Sequence, residues 1–386
     1  MNFLNSFNNL KSYCESENFE GWDPYDGLNS NVFQNLPFKN FFIFRLIWIQ
    51  IFKRCPFNMR KLFIVPKGVN PKGLALFLTG YCNLYKLQNN EEYLKIIHNL
   101  SNRLIDLKSK DFDSACWGYN FDWQSRAFFL PKNTPTVVAT SFCADALMNA
   151  YEITKEKKFL EVALDSANFI INDLNRTKAS SGFIFSYSPF DNTVVYNASL
   201  LGSRLLSRSY FYTKNIEYKN LAKQSIKPVV EKQNKDGSWV YGAYKIQNWI
   251  DSFHTGYNIE CIYEYQKYSG DTDFQQSIDK GLDFYVKNFF LNDGTPKYYH
   301  KSTYPIDIHC PAQFAVTISR INKMNKYKNL VDKTFEWTIE NMQDENGFFY
   351  FQKNRKFTSK IPYMRWSQAW MFYAMTFYLK SNNYEL

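Results

Sequence analysis

The sequence predicts an all-α protein, a closed (α/α)6 toroid in which helical hairpins form a ring. Apolar residues recur at helical spacing along most of the chain. Strongly apolar helices alternate with amphipathic ones, and the pattern repeats roughly every 55–60 residues, which is typical of stacked supersecondary units. A helical solenoid with this rhythm would need polar capping repeats. The last segment, residues 366–381, is apolar and aromatic instead, so a closed ring is favoured.

The elements follow in order along the chain. Residues 1–36 are polar and poorly periodic, and they are predicted to form an irregular N-terminal arm, with the barrel domain over 37–386. A first helix is predicted over about 38–54, because Pro56 cannot continue it. Apolar inner helices are predicted near 72–88, 137–154, 196–213, 254–268, 310–323 and 366–381. Amphipathic outer helices are predicted near 91–108, 157–175, 217–233, 273–290 and 327–343.

Six inner helices and five outer helices leave one outer position vacant, and the helix at 38–54 is predicted to fill it. Short polar turns join the helices of each pair. A glycine next to an aromatic residue, as in Gly118-Tyr119, closes most units. In such a toroid the loops that lead into the inner helices all open onto one end of the ring. A functional site is therefore expected at that end.

The composition restricts the classes of partner. The chain has 46 basic and 36 acidic residues, a formal charge of +10, which favours acidic partners such as a polyanionic glycan or an anionic membrane face. It contains no RNP, zinc-finger or glycine-rich phosphate motif, so nucleic acid is not expected as a partner. Aromatic residues make up 19% of the chain. Part of that excess is attributed to an AT-rich genome, and the rest suits a cavity lined with rings.

The cysteines and the N-terminus indicate a cytoplasmic location. The seven cysteines form no CxxC pair, and most lie in apolar helical segments, as buried thiols of a reducing cytosol do. The N-terminus lacks the basic-then-apolar order of a signal peptide. Residues 41–52 are strongly apolar, but they are too short to span a bilayer and Arg45 interrupts them. Four basic residues follow before position 62, so peripheral contact with the inner face of the membrane is compatible with the sequence.

Side chains that can carry out acid–base chemistry concentrate where the predicted inner helices begin. His254 and His309 occupy matching places in consecutive repeats, and each follows an aspartate, Asp251 or Asp307. Histidine is suited to proton transfer near neutral pH, and two in register favour a catalytic role. The aspartates can orient the imidazoles, cap their helices, or act as acid and base in a glycosidase. Tyr257 is a candidate proton donor.

Other residues at the same helix starts are candidate substrate contacts. Arg126 and Arg365 lie in aromatic surroundings, where a guanidinium can bind both oxygens of a carboxylate or sulfate. A buried Arg–Asp pair that joins two repeats is an equally open alternative. The remaining candidates are Asp122, Trp123, Asp191, Trp249, Tyr304, Tyr363, Trp366 and Gln368. No metal or other cofactor is expected, because the potential ligands lack short paired spacing.

Four segments resemble known proteins: residues 116–126 (CWGYNFDWQSR), 249–256 (WIDSFHTG), 304–309 (YPIDIH) and 361–366 (IPYMRW). Through them, residues 40–382 resemble the six-hairpin glycosidase-like superfamily. Within it, the chain looks like a family found among capsule and surface-polysaccharide genes, sometimes labelled δ-aminolevulinic acid dehydratase. That label lacks support, because the activity needs a βα barrel with a Schiff-base lysine and this sequence shows no βα alternation. Residues 252–256 are also similar to the helical domain of glucuronyl C5-epimerases.

The resemblance implies a carbohydrate-active enzyme of capsule or O-antigen biosynthesis that acts on an anionic, uronate-containing oligo- or polysaccharide. We expect Arg126 and Arg365 to hold a carboxylate, which acidifies the adjacent C–H, and His254 or His309 to take the proton. Return of a proton to the other face would give an epimerase, and loss of a leaving group would give a lyase. Two alternatives stay open. One is a hydrolase of the unsaturated-glucuronyl type that uses paired aspartates, and the other is a non-catalytic glycan-binding subunit.

Overall fold

The structure of the protein, a computed structural model, describes residues 3–384. The chain begins with α1 (Phe3–Ser16), α2 (Asn31–Gln34) and α3 (Phe42–Arg54). Five hairpins follow, each an inner helix and then an outer one: α4 (Pro71–Gln88) and α5 (Glu91–Asp106), α6 (Val137–Thr154) and α7 (Lys157–Asn172), α8 (Tyr196–Thr213) and α9 (Ile216–Glu231), α10 (Ser252–Ser269) and α11 (Gln275–Phe289), α12 (His309–Arg320) and α13 (Met324–Met342). A π-helical turn, Met364–Gln368, leads into the last inner helix, α14 (Ala369–Ser381).

The inner helices form a closed ring, which confirms the predicted (α/α)6 toroid. Each of α4, α6, α8, α10 and α12 packs against the next inner helix, and α14 packs back against α4. An inner helix is covered on all sides, and every residue of α6 from Val137 to Met148 is accordingly buried. The outer helices are covered on one side only. In α5 the buried positions Tyr93, Ile97, Leu100 and Leu104 form a single stripe.

The sixth outer helix is α1, which corrects two expectations. Residues 1–36 were expected to be irregular, and the helix at 38–54 was expected to fill the outer position. Instead α1 packs against α14, and its Phe7 and Leu10 are fully buried in the core. The apolar positions Phe3, Phe7, Leu10 and Cys14 are spaced by three or four residues. The many polar residues between them conceal this stripe in the sequence.

Two glycines confirm the place of α1 in the ring. Gly294 follows α11, and a side chain there would collide with the carbonyl of Lys333 in α13, the next outer helix. Gly347 follows α13, and a side chain there would collide with the carbonyl of Asn9 in α1. Their φ angles are 90° and 93°, so both residues need the conformational freedom of glycine. The loop after α13 therefore contacts α1 in the same way as the loop after α11 contacts α13, so α1 is the next outer helix of the ring.

Short antiparallel sheets, which the sequence did not predict, lie in the loops. They comprise β1 (Trp123–Gln124) with β2 (Phe129–Leu130), β3 (Arg176–Ala179) with β4 (Gly182–Phe185), and the three strands β5 (Ile306–Asp307), β6 (Gln352–Lys353) and β7 (Thr358–Ser359). Helix α3 packs on β1 and on a 3-10 turn at Asp26–Asn29. None of the helices within residues 3–384 is both long and apolar enough to cross a membrane.

A buried network of ion pairs fills the barrel interior between α6, α8, α10 and α12. Arg204 binds Glu260 at 2.8 Å, and Arg320 binds Glu264 at 2.6 Å and Asp145 at 2.9 Å. Its members come from helices that are neighbours in the ring, so it ties the inner wall together. Phe142 lies against Arg204, with 5.1 Å from the guanidinium carbon to the ring centre, and the same ring contacts Lys72 of the cavity described next.

Candidate active site

A cavity of about 640 Å³ opens at the end of the barrel where the inner helices begin. First-turn residues of the inner helices line it, among them Lys72 of α4, Val138 of α6, Asn197 of α8, His254 of α10 and His309 of α12. Helix α3 closes one side with Leu46, Ile49 and Lys53. Of the predicted site residues, those that line this cavity are Trp123, Arg126, Trp249, His254, Tyr257, Asp307, His309, Arg365 and Trp366.

Asp251 holds His254 in place from behind the cavity wall. It caps α10 by accepting the His254 backbone N–H at 3.0 Å, and it binds the His254 Nδ1 at 2.7 Å. It also accepts Nε1–H of Trp249 at 2.8 Å. Asp251 is only 2% exposed and does not line the cavity, whereas the His254 side chain is 20% exposed. Because Nδ1 is hydrogen-bonded to Asp251, Nε2 is the ring nitrogen that is available to contact a substrate.

His309 is held by a different partner, Tyr257, whose hydroxyl lies 2.9 Å from Nε2. Phe253 stacks on the imidazole with 4.4 Å between ring centres, and Trp370 lies on it at 4.1 Å. Burial, reinforced by the positive charge of Lys72, lowers the pKa of His309 well below its usual value. The ring is therefore a neutral imidazole at physiological pH. Burial also raises the pKa of Tyr257, which keeps its phenol protonated.

Asp307, unlike Asp251, belongs to the cavity wall. One carboxylate oxygen accepts the Nε1–H of Trp366 at 2.8 Å and the backbone N–H of His309 at 3.0 Å. The other accepts Nε2–H of Gln352 at 3.2 Å. Burial raises the pKa of Asp307 to about 6, against the opposing effect of these hydrogen bonds. A carboxyl group with this pKa can hold or release a proton near neutral pH.

Arg365 is already paired, so the expectation that it is free to hold a substrate carboxylate is corrected. Its guanidinium binds both oxygens of Asp23, at 2.5 and 2.8 Å, and both residues are buried. This is the buried Arg–Asp pair that the sequence left open as an alternative. Arg126 is exposed at the rim, and its side chain forms no hydrogen bond or ion pair with the residues that the structure describes.

Lys72 is a cavity residue that sequence reasoning missed. Its amine lies over the rings of Phe142, Tyr257 and Trp370, at 4.5, 5.6 and 5.3 Å from their centres. The residue is 4% exposed, and its amine has no carboxylate partner between residues 3 and 384. Burial, reinforced by the charge of Arg365, lowers the pKa of Lys72 well below its usual value. A lysine in the first turn of an otherwise apolar inner helix was the signal that could have revealed it.

Three of the predicted substrate contacts lie outside the cavity, because their side chains form hydrogen bonds with other parts of the protein. Asp191 binds the backbone N–H groups of Ser188 and Thr193 and shapes its own loop. Tyr363 is buried, and its hydroxyl accepts a hydrogen bond from Arg60 at 2.8 Å.

Gln368 is the third of these, with both ends of its side-chain amide bonded to the backbone of Phe349. Two further predicted contacts are also absent from the cavity wall. Asp122 accepts the backbone N–H of Lys132 at 2.7 Å, and Tyr304 is 40% exposed before a cis proline. Sequence position alone could not separate these structural roles from substrate contact.

No family model and no curated protein sequence matches the chain. Solved structures with a similar fold include a cellobiose 2-epimerase from Bacillus thermoamylovorans B4167, 14% identical over 80% of this chain and 87% of that chain, with a TM-score of 0.61. The Lin0763 protein from Listeria innocua is 13% identical over 98% and 97%, with a TM-score of 0.64. An unsaturated glucuronyl hydrolase specific for heparin is 13% identical over 83% and 90%, with a TM-score of 0.61. These likenesses confirm the predicted fold.

Proposed function

We propose that the protein is a carbohydrate-active enzyme that moves a proton at a carbon atom of an anionic saccharide, as an epimerase or a lyase does. One observation carries the proposal. Two imidazoles, His254 and His309, line the same cavity, and a separate partner orients each of them. Phe253 lies between them, with its ring centre 4.3 Å from that of His254 and 4.4 Å from that of His309.

The two sides of the cavity are chemically different. His254 would take a proton from carbon through Nε2, because Asp251 stabilises the imidazolium that this transfer forms. On the other side, Asp307 in its protonated form or Tyr257 beside His309 would supply a proton. In an epimerase that proton goes to the opposite face of the same carbon. In a lyase the C–O bond at the next carbon breaks, a C=C bond forms, and the leaving oxygen takes the proton.

The charge of the cavity supports an anionic substrate. Among residues 3–384, five basic residues line it, Lys53, Arg54, Lys72, Arg126 and Arg365, against the single carboxylate of Asp307. Because Arg365 is already paired with Asp23, we expect Lys72 and Arg126 to bind the substrate's carboxylate. A cation beside that carboxylate stabilises the negative charge that develops when the adjacent C–H loses its proton.

The size and lining of the cavity support a saccharide. A volume of about 640 Å³ falls within the usual range of small-molecule sites. Tyr241 and Trp249 stack at 4.5 Å beside His254, and Trp123 of β1 also lines the cavity. Such rings offer flat apolar faces to the C–H groups of a sugar. The likeness to a cellobiose 2-epimerase is in keeping with this substrate class.

Hydrolysis is the second candidate, and the raised pKa of Asp307 favours it. A glycosidase needs a protonated carboxyl to release the leaving group. The paired mechanism also needs Asp251, but that carboxylate lies outside the cavity and already accepts hydrogen bonds from His254 and Trp249. Replacement of both aspartates with Asn should abolish hydrolysis, whereas proton exchange at carbon should persist in part.

The experiment that tests the proposal measures deuterium uptake from solvent. The protein would be incubated in D2O with uronate-containing oligosaccharides, and the products would be read by mass spectrometry and NMR. Deuterium at a ring carbon without cleavage identifies an epimerase, and an unsaturated product identifies a lyase. Cleavage without ring deuterium and without an unsaturated product contradicts the proposal in favour of hydrolysis. No change across the panel favours a glycan-binding subunit. The variant His254→Gln is the control and should lose uptake.

A further inference from the structure

A large apolar surface lies on α3 and on the segments directly before and after it. Nine of the nineteen large hydrophobic side chains that are exposed in residues 3–384 fall between positions 38 and 64. We call this set the α3 surface, and its members are Phe38, Phe41, Phe42, Ile43, Ile47, Ile51, Phe57, Leu62 and Ile64. Phe57 and Leu62 are 78% and 74% exposed. Apolar patches of this kind usually mark a contact with a protein or a membrane.

Helix α3 has three faces with different surroundings. Trp48 and Phe52 pack on the Phe63 ring and hold the helix on the protein. Leu46, Ile49, Gln50 and Lys53 form the face that lines the cavity, and Arg54 at the end of the helix lies at the cavity's exposed edge. The third face carries Ile43, Ile47 and Ile51, which are four residues apart and 67%, 51% and 47% exposed. The helix therefore joins the cavity to an uncovered apolar face.

The charged residues in the stretch of sequence that carries this surface are all basic. Between Asp26 and Glu91 the chain contains nine basic residues and no acidic one. Arg54 and Lys61 are exposed, and within residues 3–384 neither forms an ion pair with a carboxylate. Basic side chains beside exposed apolar ones are typical of protein surfaces that bind anionic lipids.

We propose that the α3 surface docks on an anionic lipid membrane, which places the mouth of the cavity at the level of the lipid headgroups. The apolar side chains would enter the boundary between headgroups and acyl chains, and Arg54 and Lys61 would meet lipid phosphates. The 13 residues of α3 are too few to cross a bilayer, so the helix lies in the membrane plane. A saccharide carried on a lipid anchor could then reach the cavity directly.

A second copy of the chain fits this surface less well. In a two-fold dimer the same patch meets itself. Arg54 and Lys61 of one copy would approach those of the other, and the surrounding stretch of sequence offers no carboxylate to pair with them. Lipid phosphates provide the missing negative charge.

Co-sedimentation with vesicles tests the proposal without any substrate, so its outcome is separate from that of the proposed chemistry. The full chain would be mixed with vesicles of phosphatidylcholine alone or with added phosphatidylglycerol. We expect binding to the anionic vesicles that weakens at high salt. The double variant Arg54→Glu/Lys61→Glu should weaken partition about 30-fold or more. The triple variant Ile43→Ser/Ile47→Ser/Ile51→Ser should remove binding.

A matched control comes from the opposite end of the barrel. Phe211 and Ile216 are 47% and 59% exposed at the turn between α8 and α9. The variant Phe211→Ser/Ile216→Ser should bind vesicles as the unaltered protein does, and circular dichroism would establish that all variants are folded. Absence of vesicle binding by the unaltered protein would overturn the proposal. So would light scattering that shows a dimer which the triple Ser variant converts to monomer.

Discussion

Asp251 lies behind His254, with 2.7 Å between its carboxylate and Nδ1 of the imidazole, and it has no access to the cavity itself. This arrangement leaves Nε2 as the ring nitrogen that is available to a substrate. It also places a negative charge where an imidazolium would form during proton abstraction. Asp251 therefore holds the His254 ring in place, and the two aspartates that look equivalent in the sequence occupy different positions, one behind the cavity wall and one within it.

The variant Asp251→Asn tests this role. Asn retains the preference for a helix N-cap but has no charge with which to stabilise an imidazolium. We expect kcat for deuterium uptake to fall about 10²- to 10³-fold, with KM and the midpoint of thermal unfolding little changed. Asp251→Ala should also destabilise α10, by about 1 kcal/mol. A normal kcat in Asp251→Asn would mean that the carboxylate acts only as a cap.

The pKa of Asp307 predicts a pH-dependent stability. Because burial raises this pKa to about 6 from an ordinary value of 3.8, the folded state favours the protonated carboxyl. The unfolded chain loses the proton first, so the stabilisation is lost as pH rises from about 4 to 6. Relative to Asp307→Asn, the free energy of unfolding should fall by on the order of 3 kcal/mol over this range. Urea denaturation at several pH values measures it. Parallel curves for the two proteins would contradict the raised pKa.

Lys72 is predicted to bind the substrate's carboxylate. In Lys72→Met, KM for a uronate substrate should rise about 10- to 100-fold, because a charged hydrogen bond is lost. The free energy of unfolding should stay the same or rise, because the unaltered protein buries an amine without a carboxylate partner within residues 3–384. Steady-state kinetics and urea denaturation measure both effects. The control is Lys287→Met, which removes a lysine whose side chain is 72% exposed. Equal KM changes in the two variants would exclude a specific role of Lys72 in binding the substrate.

The pair of Asp23 and Arg365 is predicted to be structural. Asp23→Ala leaves a buried guanidinium without its partner and should lower the free energy of unfolding by about 3–5 kcal/mol. The comparison is Asp283→Ala, which breaks an exposed pair with Lys287 in which the two side chains are 63% and 72% exposed. That change should cost less than about 1 kcal/mol. If chemical denaturation gives similar values for both variants, Arg365 is not held in place by Asp23.

Helix periodicity carried most of the fold prediction. The starts of α4, α6, α8 and α10 fall within two residues of the predicted ones, because an apolar helix that follows a polar loop is visible locally. The place of His254 and His309 at equivalent helix starts could be read in the same way. Helix α1 was missed because polar residues separate the four apolar residues that form its narrow stripe. Only the contact of α1 with α14 shows that this stripe faces the core.

The sequence by itself determined the ring of hairpins, the end of the barrel at which the cavity opens, and the two histidines in the cavity wall. Tertiary structure alone decided which buried charged side chains have a partner of opposite charge. Asp23 and Arg365 are 342 positions apart, and packing of the N-terminal segment against the last repeat brings them together. The same packing leaves Lys72 without a carboxylate partner in the described part of the chain, and it places Asp307 but not Asp251 in the cavity wall. Local patterns determine helices because their hydrogen bonds join near neighbours, whereas the pairing of buried charges depends on contacts between distant parts of the chain.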